Sequence, residues 1–125
     1  MKTLPKRALT DTDLQHYARA FGVHNFRGVF MRTSLPRKPR VNESAIVNLD
    51  SSDGPGTHWV AYKKLGNRAE YYDSFGDLRP PIELRRYLDG AHIYYNYENE
   101  QRPNTVNCGH LALRFLLSPS IKVRV

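Results

Sequence analysis

Apolar positions first fall into register at Leu14, Tyr17, Ala18 and Phe21, the spacing of a helix with one buried face. Thr10 or Asp11 can cap that helix, Asp11 and Asp13 suit the positive end of its dipole, and Gly22 ends it. His16 lies off the apolar stripe and is expected at the surface. The run His24-Asn25-Phe26-Arg27-Gly28-Val29-Phe30-Met31 reads as a short strand or a buried loop. Leu35-Pro36-Arg37-Lys38-Pro39-Arg40 follows, its prolines excluding regular structure and its charges holding it at the surface. Ala45-Ile46-Val47-Asn48-Leu49 has the pattern of a buried strand, closed by the turn formers Asp50-Ser51-Ser52-Asp53-Gly54-Pro55-Gly56.

The clearest hairpin joins Thr57-His58-Trp59-Val60-Ala61-Tyr62 to Arg68-Ala69-Glu70-Tyr71-Tyr72-Asp73, with Gly66 and Asn67 at the centre of the turn. Pairing about that turn brings His58 opposite or nearly opposite Asp73, on one face with Val60 and Tyr71. The competing reading is a surface histidine at a strand start and an aspartate at a strand end. Ser74-Phe75-Gly76-Asp77 is a turn, and Pro80-Pro81 opens a short helix through Ile82, Leu84, Arg85 and Leu88, closed by Gly90. His92 to Tyr97 reads as another strand. From Cys108 onward, Leu111, Ala112, Leu113, Phe115 and Leu116 have helical apolar spacing. Ile121-Lys122-Val123-Arg124-Val125 alternates in the manner of an edge strand. No internal repeat, long linker or low-complexity tract interrupts this order, so residues 1–125 are read as one domain.

Charge and cysteine usage narrow the picture. Nineteen Lys and Arg against twelve Asp and Glu give a net charge of +7, which suits a polyanionic partner. Arg37, Lys38, Arg40, Lys63 and Lys64 are the candidate nucleic-acid contacts, and binding without sequence preference is the expectation. No apolar run is long enough to cross a bilayer, and the basic start Met1-Lys2-Thr3-Leu4-Pro5-Lys6-Arg7 has no signal-peptide core after it. A soluble, intracellular protein is therefore expected, without a membrane partner. The single cysteine excludes an internal disulfide and a cysteine-rich zinc site, and no metal site is expected.

That cysteine is also the chain's candidate for chemistry. Pro103 and Asn104 stop any earlier helix, so Cys108 falls in the first turn of the last one. Unpaired N–H groups and the helix dipole there favour thiolate over thiol. A lone cysteine is otherwise a small buried hydrophobe. A cysteine protease needs a thiolate, an imidazole to pair with it and protonate the leaving amine, a group to orient the imidazole, and donors for the oxyanion. Cys108, His58, Asp73 and Gln101 match those roles in type. Gln101, seven residues before Cys108 and across a Pro-Asn turn, can fold its amide toward the Cys108 backbone N–H.

His58-Trp59, then Tyr72-Asp73-Ser74-Phe75-Gly76, then Gln101-x-Pro103-Asn104-x-x-x-Cys108-Gly109 together resemble the adenovirus-type (adenain-like) cysteine endopeptidases. Their wider relatives are the proteases of Polinton or Maverick transposons and, more distantly, the SUMO and ubiquitin-like-protein proteases. Phe26 to Met31 and Val47-Asn48-Leu49 are also similar to the transposon and DNA-virus branch.

The resemblance implies an α+β fold: a central, mostly antiparallel sheet carrying His58 and Asp73, flanked by helices, with Cys108 on one of them. The core would be papain-like with the order permuted to His, Asp, Cys. It further implies cleavage of polypeptides after small, Gly-type residues in viral or transposon precursors, in the host nucleus or virion, by a monomer that needs no cofactor. Stimulation of cleavage by DNA is an extension of the same resemblance. The sequence departs from the family in ending soon after the Cys108 helix, which implies a reduced form, and in lacking a second cysteine for a disulfide-tethered peptide cofactor. Two alternatives stand beside this reading: deconjugation of a ubiquitin-like modifier by the same residues, and a non-catalytic, basic nucleic-acid-binding domain.

Overall fold

The computed structural model describes residues 4–50, 58–76, 79–95 and 107–118. The order is α1 (Asp11–Ala20), β1 (Phe26–Met31), β2 (Asn42–Asn48), β3 (Trp59–Leu65), β4 (Arg68–Tyr72), α2 (Ile82–Tyr87), β5 (His92–Tyr95) and α3 (Cys108–Leu117). The five strands form one sheet in sequence order, so the fold is α+β.

Local chemistry sets most boundaries. Thr10 caps α1 through a reciprocal pair of bonds: its hydroxyl accepts from the Asp13 N–H, and the Asp13 carboxylate accepts from the Thr10 N–H. The β3–β4 turn is the two-residue Gly66-Asn67, with Leu65 paired to Arg68. Gly66 sits at φ 60, a conformation glycine takes without Cβ strain.

The sheet is mixed rather than mostly antiparallel. β2–β3 and β3–β4 are antiparallel, whereas β1–β2 and β4–β5 are parallel. Both edge strands arrive by crossovers, the proline-bearing loop between β1 and β2 and the segment holding α2 between β4 and β5, and a crossover returns the chain in its original direction. β1 also carries a bulge between Phe26 and Gly28.

Alternation along the strands divides the core in two. Ile46, Ala61 and Tyr72 face Leu14 and Ala18 of α1 and Leu111, Ala112 and Phe115 of α3. Ala45, Val47, Val60, Tyr62, Ala69 and Tyr71 face Leu84 and Leu88 at α2. The Tyr72 and Phe115 rings stack at 5.1 Å, which fixes α3 over the centre of the sheet. Cys108 consequently begins its helix beside the start of β3.

A buried carboxylate stitches the proline-bearing loop to the rest. Glu43 of β2, whose side chain is fully covered, accepts from Arg27 Nη1 at 2.9 Å, the Arg40 N–H at 2.7 Å, the Tyr87 hydroxyl at 2.7 Å and the Tyr62 hydroxyl at 2.5 Å. These bonds hold the Glu43 carboxyl below its ordinary range although burial alone would raise it. The loop is thereby ordered, with the Lys38 carbonyl also accepting from Arg27 at 2.5 Å.

The putting together of β2 starts earlier than its apolar run, because Glu43 and Ser44 are buried polar residues of the strand. His16 is exposed. The turn at 51–56, Asp77, the end of the His92 strand at 96–97 and the alternating residues 121–125 lie outside the described residues. No described helix is long and apolar enough to cross a membrane.

Candidate active site

Three elements converge on one thiol. Continued past its last pair, Ala61 with Tyr72, the hairpin register would oppose Val60 to Asp73 and set His58, two residues further on, diagonal to Asp73. Diagonal neighbours are within reach of a long side chain. His58 Nε2 lies 2.8 Å from Asp73 Oδ1, and both side chains are largely covered, 12% and 2% exposed. The turn after β4 fixes the carboxylate, since Oδ1 also accepts the Phe75 N–H at 2.9 Å and the Asp73 carbonyl accepts the Gly76 N–H at 2.9 Å.

With Nε2 engaged by Asp73, Nδ1 is the nitrogen left to interact with Cys108, and the two groups shift each other's pKa. Burial alone would lower the His58 pKa, but the hydrogen bonds and charges of Asp73 and Cys108 outweigh it and push the value up to about 9. Burial would raise the Cys108 thiol, yet the imidazole, then the Trp59 and Gly109 backbone N–H groups, bring it below its ordinary value. Both shifts favour the same state. That state is the thiolate paired with the imidazolium.

The position of Cys108 at the first residue of α3 follows from how closely that helix approaches its neighbours. A Cβ on Gly109 would lie 3.3 Å from Leu9 Cβ and Leu14 Cδ2 and 3.4 Å from Trp59 Cδ1. Glycine is what allows the Cys108 turn to seat against α1 and β3. Two bonds from the N-terminal arm brace the same corner: Trp59 Nε1 donates to the Leu9 carbonyl at 3.0 Å, and His110 Nε2 donates to the Pro5 carbonyl at 2.7 Å.

Phe75 is a contributor that the sequence pattern did not single out. Its ring stacks on the His58 imidazole with centroids 4.5 Å apart and planes at 26°. A turn residue two positions past an aspartate carries no periodic signal of such a contact.

The remaining sequence candidates are distributed differently. Gln101, with Pro103 and Asn104, lies outside the described residues. Arg37, Lys38 and Arg40 are exposed on the proline-bearing loop. Lys64 Nζ donates to the Arg40 and Val41 carbonyls at 2.9 and 3.1 Å. Lys63 donates to the Ser118 carbonyl and lies over the Phe115 ring at 4.6 Å, and burial lowers its pKa. These two lysines therefore brace the fold. Among the described residues, no group of His, Cys, Asp and Glu has the arrangement to hold a metal ion.

Comparison with protein-family models finds no match. No curated protein is significantly similar to the chain.

Proposed function

We propose that this chain is a cysteine endopeptidase with a papain-like core in the permuted order His58, Asp73, Cys108, resembling the adenain-like branch. The observation that carries the reading is the convergence of a helix-start thiol, an imidazole and a buried carboxylate from three elements, with Asp73 taking one imidazole nitrogen and leaving the other for Cys108. A merely structural cysteine has no need of a charged partner that is itself oriented.

The chemistry follows from that order of contacts. The Cys108 thiolate attacks a substrate carbonyl, forming a C–S bond and an oxyanion. The His58 imidazolium gives its proton to the amine nitrogen as the peptide C–N bond breaks. The neutral imidazole then takes a proton from water, whose oxygen attacks the thioester, and the C–S bond breaks to restore the thiolate. Asp73 keeps its hydrogen bond to Nε2 throughout, so the imidazole presents the same nitrogen in both half-reactions. The Cys108 backbone N–H and the Gln101 amide are the proposed oxyanion donors.

Precursor polypeptides cut after small, Gly-type residues are the proposed substrates. The test is incubation with a panel of such precursors and with a ubiquitin-like fusion ending in Gly-Gly, followed by mass analysis of new termini, with Cys108→Ser as control. New termini after Gly in the precursors, absent with Cys108→Ser, support the reading. Cleavage confined to the ubiquitin-like fusion assigns deconjugation instead, and equal cleavage by Cys108→Ser overturns the cysteine mechanism.

A further inference from the structure

The turn that follows β4 does two things at once. Asp73 Oδ1 accepts from His58 Nε2 at 2.8 Å and from the Phe75 N–H at 2.9 Å, so one oxygen fixes both the imidazole edge and the backbone that carries the Phe75 ring. The Gly76 N–H closes the turn on the Asp73 carbonyl at 2.9 Å. Phe75 is left 36% exposed, an unfavourable place for a phenyl ring unless its covered face has a purpose. That face lies on the imidazole.

We infer that Phe75 is a positioning residue for the thiolate–imidazolium pair, its ring roofing His58 so that water is kept from one face of the imidazole and the ring cannot tilt away from Cys108. The inference rests on the cysteine-nucleophile reading above. A hydrogen bond at Nε2 fixes one edge of the imidazole but leaves the soft rotation about its last torsion. A second flat ring at 4.5 Å and 26° restricts that rotation. The aromatic face also attracts a cation within about 6 Å of its centre, so it favours the imidazolium over the neutral ring. The titratable groups facing His58 are Asp73 at the end of β4 and Cys108 at the start of α3, with the Tyr71 hydroxyl beyond, held protonated by burial and by the Asp73 charge. Removing Phe75 changes none of these and admits water between them.

The test is the pH dependence of Cys108 alkylation by iodoacetamide, which needs no substrate, in wild type, Phe75→Ala, Phe75→Leu and Phe75→Tyr. A thiolate–imidazolium pair gives two rises in rate, one as the thiolate forms and one as the imidazolium loses its proton. In Phe75→Ala the second rise should move down by about half a pH unit or more, the size expected for losing a cation–π contact. Tyr should restore it and Leu, which fills space without an aromatic face, should not. A Phe75→Ala profile that superimposes on wild type, or full restoration by Leu, overturns the inference while leaving the ion pair intact. A wild type with a single rise at the free-thiol position overturns the underlying reading and this inference with it.

Discussion

His58 reaches Asp73 diagonally across the β3–β4 hairpin, Nε2 to Oδ1 at 2.8 Å, and this one bond decides which imidazole nitrogen is free to meet Cys108. Geometry at the end of a strand pair thus becomes tautomer and charge at a thiol on a separate helix.

Asp73→Asn tests that link. The amide is nearly isosteric, so the turn at 73–76 should persist and the melting temperature should change little. An amide can present its N–H₂ to Nε2, which puts the ring proton on Nδ1 and leaves that nitrogen unable to accept the Cys108 proton. On the proposed reading kcat falls by two to four powers of ten, about the loss seen when a triad's orienting carboxylate is removed. Steady-state kinetics on a cleaved precursor peptide would measure it.

Gly109→Ala separates seating of the Cys108 thiol from stability of the helix. Alanine gains roughly 1 kcal/mol over glycine inside a helix, while contacts at 3.3 Å to Leu9 Cβ and Leu14 Cδ2 cost a similar amount in overpacking, about 1–3 kcal/mol. Urea denaturation should therefore change by no more than about 2 kcal/mol. The alkylation rate of Cys108 at pH 6 should fall by tenfold or so, roughly 1.4 kcal/mol, because the sulfur is pushed from the imidazole.

Glu43→Ala addresses the fold alone. It strips a fully covered carboxylate from Arg27, Tyr62, Tyr87 and the Arg40 N–H, leaving the guanidinium and the Tyr87 hydroxyl with only the Lys38 carbonyl as an alternative acceptor. Breaking a buried charged network in this way costs about 3–5 kcal/mol, readable as a lowered urea midpoint. Glu43→Gln, which keeps acceptor oxygen but not charge, should lose less.

Stability should also depend on pH through His58. Its folded value of about 9 lies above the ordinary histidine value of 6.5, so its contribution is complete below about pH 6.5 and is lost as pH rises toward the folded value. In wild type the depressed Cys108 titration runs the other way, contributing above its unfolded range and fading as pH falls. The two partly cancel near neutrality. In Cys108→Ser only the histidine side remains, sustained by Asp73, so its melting temperature should drop between pH 6.5 and pH 9 by several degrees. The double variant with His58→Gln should not show that drop.

Much of the arrangement is legible in the sequence because it is local. Gly66-Asn67 sets the hairpin register, and register brings His58 and Asp73 together. The apolar spacing from Leu111 to Leu116 places Cys108 at a helix start. What escapes the pattern depends on partners far along the chain. The Glu43 carboxylate is buried because Arg27, Tyr62 and Tyr87 arrive 16, 19 and 44 residues away, and hydrophobic periodicity has no term for that. The parallel edges follow from crossovers whose direction an isolated strand does not encode. Lys63 and Lys64 look like free surface charges until α3 and the proline-bearing loop supply carbonyls for them. Phe75 reads as a turn residue because stacking on His58 has no spacing of its own.

The most direct test of the ion pair is the rate at which iodoacetamide alkylates Cys108 at pH 6 in wild type and in His58→Ala. A free thiol with a pKa of about 8.5 is less than about 1% thiolate at that pH. The account predicts a wild-type rate at least tenfold above that of a free cysteine, and a drop toward the free-cysteine rate in His58→Ala. A wild-type rate no faster than a free cysteine's, or one unaltered by His58→Ala, would contradict it.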